Sequence, residues 1–338
     1  MRRSVIKGTG RYIPPHLVTN DDLAKIIDTT DEWIQQRTGI KQRYWIEPGS
    51  VTGASDLALE ASKKAMEKAG WKPEDIDLII FATLSPDIFF PGSGVFLQNK
   101  LGLDSTPALD IRQQCTGFLY GITTADAFIK AGIYDKILVV GAEVHSTGLD
   151  KTDRGRDVTV LFGDGAGAAC IESLETEEEV GIIGHALHAQ GKYAESLMLE
   201  LPASRYSPER LTKEMMVDGR EYPKMDGSRI FKLAVKRLPE VTLELLEKTG
   251  YKLENLDMII PHQANLRINE FYLQKLGLSP EKMYNNIQNY GNTTAGSIPI
   301  ALDEAIELGK IDDSKDLVLF SALGAGLTWG AVLYKFSK

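Results

Sequence analysis

The chain repeats itself. Glu74-Asp75-Ile76-Asp77-Leu78-Ile79-Ile80 returns as Glu254-Asn255-Leu256-Asp257-Met258-Ile259-Ile260, and Lys136-Ile137-Leu138-Val139-Val140-Gly141-Ala142 is answered by Asp316-Leu317-Val318-Leu319-Phe320-Ser321-Ala322. Leu97-Gln98-Asn99-Lys100-Leu101-Gly102-Leu103 also returns, one residue shorter, as Leu273-Gln274-Lys275-Leu276-Gly277-Leu278. The offset stays at about 175 to 180 residues, which unrelated apolar strands rarely maintain, so a duplicated unit is the best explanation. Two copies predict a pseudo-twofold core with its chemistry at the junction.

With 338 residues, 43% of them hydrophobic and 25% charged, the chain is long enough for two domains around one large buried interior. No run of eighteen apolar residues exists, and Met1-Arg2-Arg3-Ser4-Val5-Ile6-Lys7-Gly8-Thr9-Gly10 lacks the apolar stretch of a signal peptide, so a cytoplasmic protein that does not span a membrane is expected. Two cysteines, Cys115 and Cys170, are too few for a disulfide framework or a four-cysteine zinc site. The formal charge of -9 argues against a nucleic-acid role, because phosphate binding needs a cationic footprint.

Apolar runs of strand length alternate with helix-period segments, the pattern of a layered α/β fold. Residues 55–70 show a Ser/Asp cap, apolar positions at three-and-four spacing and a closing Gly70, and a strand is predicted from Ile76 to Phe81. The same parts return at Val241–Gly250 and Leu256–Ile260. The Glu-rich stretch Glu172–Val180 reads as the connection between halves, which places residues 1–175 in an N-terminal half and 176–338 in a C-terminal one. Residues 190–224 are polar, contain Pro202, Pro208 and Pro223, and read as a long loop or cap over the second half.

Cys115 falls between the strand ending Leu109-Asp110-Ile111 and a helix-period segment through Ile129, so it is predicted at a helix N-terminus, where unpaired N–H groups favour thiolate. Free cysteine is most often a small buried apolar residue, and the local context alone does not decide between the two. Aligning Ile111 with Ile287 sets Cys115-Thr116 against Gly291-Asn292, a polar amide at a second elbow. Pro261-His262-Gln263-Ala264-Asn265 follows the strand of Leu256–Ile260, where α/β sheets place ligands, so Cys, His and Asn converge. Gly163-Asp164-Gly165-Ala166-Gly167 lacks the Lys-Ser/Thr of a phosphate loop and reads as a tight turn. No ligand cluster suggests a metal. Cys, His and Asn also make up the papain-type hydrolase site, but that family's local cysteine signature near the mature N-terminus is missing.

These motifs resemble those of the thiolase-fold condensing enzymes, specifically the 3-oxoacyl-[acyl-carrier-protein] synthase III family. The matching stretches run from Gly8-Thr9-Gly10 through Thr30-Asp31-Glu32-Trp33-Ile34, Arg37-Thr38-Gly39-Ile40, Cys115-Thr116-Gly117-Phe118, Phe162–Gly167, Pro261–Ile268 and Tyr290–Thr293 to Leu327-Thr328-Trp329-Gly330. The resemblance implies a five-layered α/β/α/β/α fold and a homodimer. It also implies a decarboxylative condensation of an acyl-coenzyme A primer with malonyl-acyl-carrier protein, through an acyl group held on Cys115 and with no further cofactor. His262 and Asn292 would hold the malonyl thioester carbonyl, and the N–H groups of Cys115 and Ala325 would form the oxyanion hole. Ala325 stands in Gly324-Ala325-Gly326 where the family has glycine, so its N–H serves only if the backbone there suits a Cβ.

For coenzyme A the resemblance implies Trp33, Arg37, Arg154, Ser228 and Asn265; for the acyl pocket, Phe90 and Phe162, with Phe90-Pro91 reaching across to the neighbour; for the carrier protein, Lys232, Gln263, Arg267 and Lys275. Two departures stand out. Arg156-Asp157 follow Arg154 where better-known members are apolar, and Ser228 replaces an Asn, so the primer or its carrier can differ from acetyl-coenzyme A. The related head-to-head condensing enzymes put a Glu before this proline, which Phe90 argues against. Condensing enzymes of secondary metabolism share the fold and remain an alternative, and thiolases would need a second catalytic cysteine, for which Cys170 reads rather as buried packing.

Overall fold

The apolar runs that mark the repeat become the inner strands of two sheets. The structure, a computed structural model, describes residues 1–337. In the first sheet the spatial order is Arg2–Tyr12, Gly165–Glu175, Lys136–Glu143, Leu78–Ala82, Ala108–Ile111. In the second it is Gly181–Ala189, Thr328–Lys335, Leu317–Gly324, Met258–Pro261. Both sheets run antiparallel, antiparallel, then parallel along those orders, with equivalent strands in equivalent places. Only the last strand differs. Ala108–Ile111 pairs with Leu78–Ala82, whereas its counterpart is reduced to a single parallel bridge between Ile259 and Met283.

Five layers follow from which faces are apolar. Helices Gly117–Lys130 and Ser297–Glu307 lie between the sheets, and Phe118, Ile122, Ile298 and Leu302 join Ile80, Val139, Phe320 and Val332 in one core. Helix Ala54–Ala69 covers the outer face of the first sheet, and helices Gly227–Thr249 and Leu266–Leu276 cover that of the second. Gly121 has the strand residue Val139 as its near neighbour, so this glycine lets the central helix settle on the sheet. Cys170 is fully buried in the outer core of the first sheet, where burial pushes its thiol far up.

Several boundaries differ from the sequence reading for local reasons. Helix Ala54–Ala69 is capped by Gly53 rather than by Ser55 or Asp56; the Asp56 carboxylate accepts the Gly53 N–H from inside the first turn, and Gly70 closes the helix at φ 69°. The strands begin at Leu78 and Met258 because a 3-10 turn, Pro73–Asp75 or Leu253–Asn255, precedes each. Val241–Gly250 is only the end of helix Gly227–Thr249, which runs through Pro239 because Ile230, Ala234, Leu238, Val241 and Leu245 keep one face buried across it. Asp164 turns the chain, but Gly165–Gly167 already belongs to a strand rather than to the expected turn. Residues 190–224 contain a 3-10 turn, Gly191–Ser196, a short helix, Lys213–Val217, and a two-stranded pairing of Leu197–Met198 with Lys224–Met225. This segment does not rest on the second half alone: Arg210 lies over Phe89 and the Val217 carbonyl accepts from Arg154.

The halves lock together where Gly141 of one central strand meets the turn at Ala295. A Cβ at Gly141 would stand 2.2 Å from the Ala295 carbonyl oxygen, which the backbone cannot tolerate. Gly141→Ala should therefore destabilise the protein by about 1–3 kcal/mol, as overpacking does. Gly191→Ala, where an added Cβ meets nothing within 4 Å, should stay within about 0.5 kcal/mol. Denaturant unfolding of both variants checks this, and equal midpoints would contradict the close approach.

Candidate active site

After Ala108–Ile111 the chain turns sharply at Gln114, φ 45°, makes the 3-10 turn Gln114–Thr116 and enters its helix at Gly117. The second half does the same at Thr294, φ 48°, through Thr294–Gly296 into Ser297. Gln114 and Thr294 are the two non-glycine residues at positive φ among the described residues, and they occupy equivalent places. The counterpart of Cys115 is thus Ala295, not Gly291 or Asn292. The alignment through Ile111 and Ile287 fails because a helical turn, Ile287–Tyr290, stands near where the first half has a strand. Asn292 reaches the site by a different route. It bridges to Phe162, and its N–H binds the Leu161 carbonyl at 2.8 Å.

Each elbow rests on the other half. A Cβ on Gly324 would fall 2.6 Å from Cys115 Cβ and 3.0 Å from Sγ, so the residue above the cysteine must be glycine. The N–H groups of Ala325 and of Cys115 itself point at Sγ. Ala325 is absent from the positive-φ residues, so its side chain is unstrained and its N–H is kept. The thiolate expected from the helix end is not the resting form. Burial pushes the thiol up to about 12, the buried Glu143 carboxylate adds to the push, and the two N–H groups pull it back. Burial outweighs the helix end.

His262 is 4% exposed and held through both its backbone and its ring: its backbone N–H donates to the Ser321 carbonyl, and Nδ1 lies 2.7 Å from Ser297 Oγ. Ser297 Oγ also accepts the Gln263 N–H at 3.3 Å, and Nδ1 is the one acceptor for its hydroxyl proton among the described residues. This network assigns the imidazole proton to Nε2, the buried ring nitrogen with no hydrogen-bond partner among the described residues. Burial pulls the ring down to about 3, so it is neutral. The Asn292 carboxamide is oriented in the same way: Oδ1 accepts the Thr294 N–H at 2.9 Å, and Nδ2 is left as a donor. Two neutral donors therefore face one cavity with Cys115, a site suited to negative charge that arises on a carbonyl oxygen.

That cavity measures about 440 Å³ and is lined by Cys115, His262 and Asn292 at its depth and by Trp33, Arg37, Ser228, Lys232, Asn265 and Arg267 further out. A second cavity of about 680 Å³ lies beyond Cys115, which lines both, as do Phe162 and Leu197. The Trp33 indole has Arg37 over it at 4.3 Å and Arg156 at 4.8 Å. Arg154, expected as a further coenzyme A contact, lines neither cavity: its Nε pairs with Asp150 at 2.6 Å and its guanidinium lies over Tyr222. Arg156, two residues on, is the one that lies beside the indole. Gln263, expected at a docking surface, is 1% exposed; its Oε1 accepts from the Asn286 and Ile287 N–H groups and its Nε2 donates to the Pro261 carbonyl. It braces the His262 loop. Asn265 caps helix Leu266–Leu276, and its Nδ2 donates to the Arg37 carbonyl. Lys275 is exposed on that helix, away from the cavity lining. Phe90 is 75% exposed and lines neither cavity of its own chain, while the adjacent Phe89 lines the second.

Three buried residues escape the sequence reading. His145 packs on Phe162 and its Nε2 lies 2.7 Å from Thr294 Oγ1. Asp164 accepts from the Ile46, His145 and Ser146 N–H groups, tying that loop down. Glu143 accepts from the Leu84 and Ser85 N–H groups and from the Thr83 and Ser85 hydroxyls, and burial pushes its carboxyl up to about 7. Their only signal is polarity inside apolar strand context, which does not reveal partners.

Residues 109–191 match the family described as 3-oxoacyl-[acyl-carrier-protein (ACP)] synthase III, and residues 246–336 match its C-terminal part. The beta-ketoacyl-[acyl-carrier-protein] synthase III of Caldanaerobacter subterraneus subsp. tengcongensis is 45% identical over 98% of each chain. This chain belongs to the 3-oxoacyl-[acyl-carrier-protein] synthase III family. The Neisseria meningitidis serogroup A enzyme of the same name is 43% identical, over 99% of this chain and 100% of that one. The crystal structure of 3-oxoacyl-[acyl-carrier-protein] synthase III from Aquifex aeolicus VF5 superposes with a TM-score of 0.88 at 42% identity, covering 98% of this chain and all of the other. The family carries the thiolase fold and acyl-transfer chemistry expected from the motifs.

The tautomer is testable. In ring-nitrogen NMR of labelled protein, His262 should be neutral with its proton on Nε2 at pH 6 and remain so at pH 5, below the ordinary histidine value of about 6.5. A ring that titrates between pH 6 and 7, or carries its proton on Nδ1, would contradict the buried donor.

Proposed function

We propose that this chain is an initiating β-ketoacyl synthase that condenses an acyl-coenzyme A primer with malonyl-acyl-carrier protein. The observation that supports this reading is the position of Cys115, at the join of two cavities with the backbone N–H groups of Cys115 and Ala325 beside its sulfur and His262 and Asn292 lining one cavity only. In the first half-reaction Sγ attacks the thioester carbonyl, the N–H groups of Cys115 and Ala325 take up the oxyanion, and the carbon–sulfur bond to coenzyme A breaks. The thiol proton leaves with coenzyme A. In the second, malonyl thioester occupies the first cavity, its carbonyl oxygen accepts from His262 Nε2 and Asn292 Nδ2, and carbon dioxide departs. The enolate carbon attacks the acyl carbonyl, the carbon–sulfur bond to Cys115 breaks, and the thiolate released takes a proton from solvent to return to the resting thiol.

The outer cavity suits the carriers. Trp33, flanked by Arg37 and Arg156, offers a flat cationic slot for an adenine, with Ser228 and Asn265 along the arm. Lys232 and Arg267 at its mouth, with Lys275 further along the same helix as Arg267, suit the acidic surface of a carrier protein. Exposed Ile88, Phe89 and Phe90, half to three-quarters accessible, suit the face where a second copy would close a homodimer and where Phe90 would meet the neighbour's acyl pocket.

Intact-mass measurement after mixing with acyl-coenzyme A thioesters should show one added acyl group on the wild type and none on Cys115→Ala. Labelling that persists in the variant, or that maps to Cys170, would overturn the assignment.

A further inference from the structure

The direction of the Asn292 carboxamide hangs on one N–H. Oδ1 accepts from Thr294 at 2.9 Å, the one hydrogen bond this side chain makes among the described residues, and it decides that Nδ2 is the atom left free. A flipped carboxamide would turn a lone pair toward the place where negative charge is to be held. Thr294 offers its N–H from φ 48°, a conformation that glycine adopts freely and a β-branched residue resists. Its counterpart in the first elbow, Gln114, is unbranched and half-buried, whereas Thr294 is 1% exposed. What Thr294 has and glycine lacks is a hydroxyl, and Oγ1 lies 2.7 Å from His145 Nε2, its one hydrogen-bond partner among the described residues.

His145 is itself fixed. It follows the end of strand Lys136–Glu143 in the first half and reaches across to the elbow of the second. Its backbone N–H donates to the Asp164 carboxylate at 2.7 Å, and its ring packs on Phe162 at 4.5 Å between centroids. Burial, with His262 nearby, pulls the ring down to about 3, so it is neutral and carries one donor and one acceptor nitrogen. It does not line the cavity that holds His262 and Asn292.

We infer that His145 is a positioning residue for condensation: by holding the Thr294 hydroxyl it keeps the elbow in its left-handed conformation and the Asn292 Nδ2 donor aimed into the cavity. The inference rests on the condensing-enzyme reading above, in which Asn292 serves the malonyl carbonyl.

A double-mutant cycle on single-turnover condensation, starting from preformed acyl-enzyme and malonyl-acyl-carrier protein, tests it. His145→Phe keeps a ring against Phe162 and removes the nitrogen; condensation should slow on the order of tenfold, less than loss of the whole donor, and the fall should lie in kcat rather than KM. His145→Gln, whose amide can reach the Thr294 hydroxyl from the place of Nε2, should recover most of that loss. In an Asn292→Ala background His145→Phe should bring no further loss, because the donor it positions is gone. The same tenfold loss in that background, no loss in the wild-type background, or His145→Gln as slow as His145→Phe would each overturn the inference. Condensation unchanged in Asn292→Ala alone would instead overturn the reading beneath it. Thermal unfolding confirms the fold of each variant. If His145→Phe does not fold, Thr294→Val removes the same hydrogen bond from its other end and enters the cycle with the same expected outcomes.

Discussion

Everything in the site depends on two elbows that each lean on the opposite half. Cys115 sits under Gly324 of the second half, and Ala295 sits against Gly141 of the first, at distances that admit no further atom. Close packing of this kind transmits position as a solid does, so the sulfur, the Ala325 N–H and the loop of Asn292 are fixed relative to one another by backbone contacts rather than by long side chains. Positive φ at Gln114 and Thr294 fits this view, because such residues cost about 1–2 kcal/mol each and persist only where the surroundings enforce them. The duplication supplies the scaffold twice, and only one copy carries a cysteine at its elbow, Cys115 against Ala295.

The polar chemistry is a matter of neutral groups in a dry place. His262 and Asn292 are oriented through the atoms they do not use, Nδ1 by Ser297 and Oδ1 by the Thr294 N–H. A charged imidazolium would bind the ground-state carboxylate and gain little at the transition state, whereas a neutral donor responds to charge as it appears. The same dryness raises the Cys115 thiol, so in the proposed reaction its proton would be given up during attack and not before. Glu143, close by, is spent on the loop of Leu84 and Ser85 that walls the second cavity.

Periodicity and repetition made the architecture readable: apolar runs at equal offsets are equivalent strands, and the Cys and His motifs follow strand ends. The register between halves was not readable near the nucleophile. After the bridge at Met283, which answers the strand Ala108–Ile111, the second half adds a helical turn at Ile287–Tyr290 before its elbow, and apolar markers such as Ile111 and Ile287 then mislead by four residues. Side-chain direction was equally hidden. Gln263 and Arg154 carry the residue types of binding groups, yet backbone carbonyl and N–H partners in one case and Asp150 in the other claim them. Arg156 reaches Trp33 only because the turn Asp153–Gly155 leads directly into a short helix.

The division of labour between the two sides of Cys115 is the central claim, and single-turnover kinetics on preformed acyl-enzyme tests it most directly. With His262→Ala and Asn292→Ala, acylation of Cys115 should stay within a few-fold of wild type. Decarboxylation and condensation with malonyl-acyl-carrier protein should fall on the order of a hundredfold or more, as loss of one such donor does. The double variant should lose little beyond either single one, since both donors serve one oxygen. Acylation that falls as far as condensation in both variants would contradict the account.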